Sequence, residues 1–133
     1  MTGAGEMLKL ARPELKVIVA EPENASLLSG KPFSPHKIQG WTPDFVPKVL
    51  NRSVADQLLP VSDVEAISTA RQLASKEGIF CGISAGATVA AALKVAREAP
   101  QGSAILAMLP DTGERYLSTP LFEGIADGSD PEP

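Results

Sequence analysis

The sequence predicts an α/β fold, a partial three-layer α/β/α arrangement of Rossmann type with a mostly parallel sheet. Three observations predict it. Short β-branched or apolar runs, "KVIVA" at 16–20 and "AILAML" at 104–109, are of the kind buried on both faces of a parallel sheet. Two helical patterns lie between them, so strands and helices alternate. The 133 residues are 44% hydrophobic and 21% charged, the balance of one globular domain.

The elements follow in order. Residues 3–12 read as a helix, with Met7, Leu8, Leu10 and Ala11 apolar and Pro13 stopping it. Lys16 to Ala20 is the first strand, and Asn24 to Ser29 a helical turn. Residues 30–48 hold Pro32, Pro35, Pro43 and Pro47 with Gly30 and Gly40, and read as loop. Gln57 to Val61 is a second strand. Ser62 and Glu65 form a capping box, which satisfies two orphan donors at a helix start. Ile67, Ala70, Leu73 and Ala74 then make one apolar stripe, and Gly78 closes the helix. Ile79 to Ile83 is extended. Ala85 to Arg97 is apolar nearly all round and should be buried. Ala104 to Leu109 is the last strand. Residues 1–125 are one domain, and 126–133 an acidic tail read as disordered.

Charge and composition exclude several classes. The net charge of −4, with no basic cluster, argues against nucleic acid. No apolar run approaches the ~20 residues of a membrane span, and the N-terminus lacks the marks of a signal peptide. A lone cysteine, Cys81, cannot form an internal disulfide and fits a reducing cytoplasm.

Few residues offer chemistry. "TGAG" at 2–5 is either a flexible start or the end of a Gly-rich loop whose strand lies earlier. His36 is the only histidine, and no carboxylate or cysteine stands at metal-ligand spacing from it. His36 and Cys81 would make a thiol pair only if the fold joined them; Cys81 reads better as a small buried hydrophobe. Trp41 suits packing or ligand stacking equally. Ser84 is the singular case. "GIFCGISAGATVAAAL" at 78–93 carries one hydroxyl between Gly82 and Gly86 at a strand–helix junction. Two roles fit it: a helix cap amid tight packing, or a ligand contact beyond the carboxyl end of a strand. Pro110 and Asp111 follow "AILAML" at a similar strand end.

"PHKIQG" at 35–40, "EAISTARQLASKEGI" at 65–79, "GISAGATVAAAL" at 82–93 and "LPDTGERYLSTPLF" at 109–122 together resemble the C-terminal part of the cysteine synthase (O-acetylserine sulfhydrylase) family. These are fold-type II pyridoxal-phosphate enzymes, usually dimers. The resemblance implies that Ser84 bonds the pyridine nitrogen of pyridoxal phosphate. It implies that Gln39 and Gly40 wall the substrate pocket and that Pro110 and Asp111 lie near the ring. Ala85 stands where the family often has a second serine. The full-length family makes L-cysteine from O-acetylserine and sulfide by β-replacement. Its Schiff-base lysine, phosphate loop and carboxylate-holding loop have no counterpart among these residues. The expectation is therefore a piece inactive alone, with no catalytic residue of its own and no retained cofactor. The alternative is a non-catalytic module that pairs with itself, with an N-terminal half or with an intact cysteine synthase.

Overall fold

The computed structural model describes residues 1–125, so the acidic tail at 126–133 lies outside the described residues. The fold is α/β, as the alternation of patterns requires. The first helix, α1, spans Thr2–Ala11. Strand β1 covers Ile18–Pro22, two residues beyond the expected run. A 3-10 turn at Glu23–Ala25 replaces the expected helical turn over 24–29. The proline-rich stretch is loop throughout. Strand β2, Gln57–Val61, pairs parallel with β1 in the register Ile18↔Gln57 to Pro22↔Val61.

Helix α2 spans Asp63–Glu77. The Ser62–Glu65 capping box is present in both directions, and Gly78 ends the helix in the left-handed conformation at φ 69°. Only glycine adopts that turn without strain, because it has no Cβ to meet the following carbonyl. Lys94 pairs with Glu65 at 2.8 Å. That ammonium, first, and the Ser62 N–H, second, hold the Glu65 carboxyl below its ordinary value.

Helix α3 spans Ile83–Glu98, starting two residues earlier than expected. It packs on both strands and against α2. The α2–α3 approach is very close. A Cβ added at Gly86 would lie 2.2 Å from the Ala66 carbonyl oxygen and 2.7 Å from the Ala70 nitrogen. Small residues at 66, 70, 86, 87 and 90 make that approach possible. Ile38, Val61 and Ile83 supply the larger buried side chains of the same core.

One expectation fails in a telling way. Residues 104–109 form no strand among the described residues. They lie outside the two-stranded sheet, and Leu106 is 95% exposed. A strand exists only where its backbone groups find partners, and none of the described strands lies beside this run. Residues 79–83 likewise make only a single antiparallel bridge, Cys81↔Thr112.

Candidate functional site

The first turn of α3 and the loop at 110–116 come together. The Gly82 N–H donates to the Asp111 carbonyl at 3.1 Å, and the Gly113 N–H to the Phe80 carbonyl at 3.2 Å. These bonds hold the two segments side by side. Gly82 is the N-cap of α3, with extended backbone and no side chain to cap the helix. The next three backbone N–H groups therefore point out of the helix start without intrahelical partners.

Ser84 stands among them. It is 4% exposed, in a run of buried residues from Ile83 to Ala87. Among the described residues its hydroxyl makes no hydrogen bond, so it performs no capping. The helix dipole at this end favours an electron-rich ligand atom.

Tyr116 forms the neighbouring surface. A Cβ at Gly82 would lie 2.5 Å from Tyr116 Cε2, so only glycine lets the ring lie against the backbone here. The Tyr116 hydroxyl donates to Asp111 Oδ2 at 2.9 Å. Burial, and then the Asp111 carboxylate, push the Tyr116 hydroxyl above its ordinary value. Asp111 Oδ1 accepts from the Thr112 N–H at 2.9 Å and meets Arg115 Nε at 3.1 Å. The Asp111 carboxylate is thus occupied in shaping its own loop. Pro110 is exposed beside it. Phe80 and Phe122 meet edge to face at 5.6 Å and close the underside.

Two other expected pocket residues belong to the 35–40 loop, whose Ile38 shares a core cluster with Cys81, Ile83, Ala85 and Tyr116. Gln39 and Gly40 are exposed, and Gly40 has φ 83° with open space where a Cβ would stand. Their loop is held from two sides: Ile38 is fully buried, and the Lys37 N–H donates to Asp63 Oδ1 at 2.9 Å. The structure thus ties residues 35–40 to the start of α2. Among the described residues no hydrogen bond joins Gln39 or Gly40 to Ser84 or to 110–116.

His36 packs edge-on against Phe33 at 6.2 Å, and its buried Nδ1 has no partner among the described residues. Burial pushes the Cys81 thiol up, the reverse of what a nucleophile needs. Cys81 therefore acts as a small core residue. Among the described residues no three of His, Cys, Asp and Glu cluster at metal-binding distance. No helix among them is long and apolar enough to cross a membrane. Two open grooves exist, of about 420 Å³ along Leu117–Phe122 and about 480 Å³ between α1 and Asn51–Val54. Neither includes Ser84.

Three positioning contacts escaped sequence reasoning: Asp63 to Lys37, Gly82 to Tyr116, and Phe80 to Gly113. Each joins residues more than twenty positions apart, and no local pattern announces them.

Comparison with known proteins places this geometry. The chain is 59% identical over 130 residues to O-ureido-L-serine synthase of Streptomyces lavendulae, covering 98% of this chain and 40% of that protein. It is 40% identical over 122 residues to cysteine synthase of Staphylococcus aureus, covering 92% of this chain and 39% of that one. It superposes with a TM-score of 0.94 and 60% identity on a crystal structure of an O-ureido-L-serine-bound mutant of O-ureido-L-serine synthase, over 97% of this chain and 40% of the other. The chain therefore spans about 40% of the length of these relatives. The family model for pyridoxal-phosphate dependent enzymes matches residues 1–111, and with that match over most of its length the chain belongs to the pyridoxal-phosphate dependent enzyme family.

Proposed function

We propose that residues 1–125 are the part of a β-replacement enzyme that carries the pyridine edge of pyridoxal phosphate. The observation that carries this reading is Ser84: a residue 4% exposed whose hydroxyl finds no hydrogen-bond partner among the described residues, at the open start of α3. The fit is chemical. A neutral hydroxyl donates to an unprotonated ring nitrogen, whereas a carboxylate there would keep the nitrogen protonated. When bound, pyridoxal phosphate supplies the electron sink for replacing a substituent at the serine β-carbon, and a weak sink suits replacement over transamination.

The remaining residues hold that edge in shape. Tyr116 lies against Gly82, Asp111 holds the Tyr116 hydroxyl, and Pro110 borders the same loop. Gln39 and Gly40 form the substrate wall, kept in place by Ile38 and Asp63. None of the seven lysines is assigned a covalent role; Lys9 pairs with Asp56 and Lys94 with Glu65. This polypeptide by itself is inactive in the proposed reading, and the cytoplasm is its proposed compartment.

The two named relatives make different β-substituted alanines, L-cysteine and O-ureido-L-serine. Identity of 59% against 40% favours the second product for a parent of this chain. The test is a chimera in which this chain replaces the matched segment of the Streptomyces relative. It should release acetate from O-acetylserine, faster with hydroxyurea than with sulfide, and Ser84→Asp should reduce turnover at least tenfold. The chain alone, mixed with pyridoxal phosphate and borohydride, should carry no pyridoxyl-lysine. Turnover by the chain alone, or a chimera indifferent to Ser84→Asp, contradicts the reading.

A further inference from the structure

We infer that Thr42 is a positioning residue whose strained backbone holds the Gln39–Gly40 turn, and so the proposed substrate wall, in a single shape. Thr42 has φ 40° and is the only non-glycine residue among the described residues with φ in the left-handed region. Two features of the sequence oppose that conformation. Threonine is β-branched, and its Cβ crowds the adjacent backbone there. Pro43 follows, and a proline pushes the residue before it toward extended backbone. Left to itself, a threonine before a proline relaxes to negative φ.

Its surroundings prevent that. Residues 38–41 form a tight turn, closed by the Trp41 N–H donating to the Ile38 carbonyl at 3.3 Å, with Gly40 at φ 83° as in a type II turn. Both ends of the turn are anchored. Ile38 is fully buried in the cluster that includes Ile83 and Ala85, the residues on either side of Ser84, and Trp41 packs against the same cluster. The Lys37 N–H is fixed to Asp63 Oδ1 at 2.9 Å. Gln39 and Gly40 project between these anchors, and both are exposed. Rotating Thr42 out of the left-handed region would redirect the chain beside Trp41 and pull on that anchor. Strained backbone persists only where the structure around it over-determines it, and such residues gather at ligand sites. The strain here lies next to the turn that joins the proposed wall to the core around Ser84. The inference rests on the reading of Gln39 and Gly40 as the substrate wall.

Thr42→Gly and Thr42→Val test it by separating backbone from side chain. Glycine accepts positive φ without strain but leaves the turn looser. Valine keeps the branched shape and removes only the hydroxyl. In the chain alone, Thr42→Gly should raise the urea midpoint read by circular dichroism. Acrylamide should then quench Trp41, the single tryptophan, at least twofold faster. In the chimera, Thr42→Gly should raise the KM for O-acetylserine at least fivefold and change kcat less than twofold. Thr42→Val should leave both quenching and KM within twofold of the parent. A merely structural residue would lose stability and activity together, whereas here stability rises as KM worsens. A Thr42→Gly midpoint at or below the parent, unchanged quenching, an unchanged KM, or a Thr42→Val variant that matches Thr42→Gly would each overturn the inference. The midpoint and the quenching need no cofactor, so they decide on the strain whatever the chimera does. A chimera indifferent to Ser84→Asp strikes the cofactor reading and leaves these two results standing.

Discussion

Residues 62–98 and residues 99–125 are in contact yet are stabilised differently. The first region is self-contained. Its helix α2 carries its own caps, and its close contacts with α3 involve backbone atoms, as at Gly86 and Ala66. The second is held by single tethers: Thr88 to Met108, Asp111 to Gly82, and Arg71 to the carbonyls of Pro120, Leu121 and Glu123 at 2.7–3.0 Å. The difference teaches where this fold stores its information. The caps of α2 are settled by local sequence, while 104–125 is placed by contacts with residues far away in the chain.

The sharpest way to break that contrast is Gly86→Val. Its Cβ must displace backbone atoms of α2, which no rotamer change relieves. Overpacking of this kind costs about 3 kcal/mol or more, the upper end of the usual range. A urea midpoint within error of the parent would contradict the close approach. Gly82→Ala strikes the junction of the two regions. Its new methyl group pushes a ring, not backbone, so about 1 kcal/mol is expected. The Tyr116 titration should also fall back toward 10.0, which absorbance at alkaline pH reads directly. An unmoved titration would mean that the ring does not depend on Gly82.

Ser62→Ala tests the self-contained region more gently, with a loss of about 1 kcal/mol from the missing cap. The same box gives a pH dependence. The folded Glu65 carboxyl lies below its ordinary value of 4.5, so its stabilisation is present above that pH and is lost as pH falls through the folded value. The acid-induced drop in melting temperature should therefore shrink in Glu65→Gln; an identical acid profile would remove Glu65 from the account. The smallest effect belongs to the second region. Leu106→Asp should change the stability of the chain alone by less than about 0.5 kcal/mol. A larger loss would mean that the run already packs within the chain.

The same contrast explains what was legible in the sequence. The Ser62–Glu65 box, the Gly78 terminus and β2 were readable because their causes lie within four residues of each other. The small-residue character of 82–93 announced a tight helix. Ser84 was legible as an oddity, but no sequence pattern shows that its hydroxyl lacks a partner among the described residues. The strand at 104–109 misled because the apolar pattern reports burial in a whole sheet, while pairing depends on strands that the described residues do not supply. The placing of 35–40 beside Asp63 was invisible for a related reason: one backbone N–H and one carboxylate, 26 positions apart, decide it.

The central claim is that Ser84 faces the ring nitrogen, and nitrogen NMR of the chimera loaded with ¹⁵N-labelled pyridoxal phosphate reads that atom directly. The account predicts an unprotonated, hydrogen-bonded pyridine resonance that moves toward the free neutral base in Ser84→Ala and to the protonated range in Ser84→Asp. A resonance that stays the same in all three proteins would contradict it.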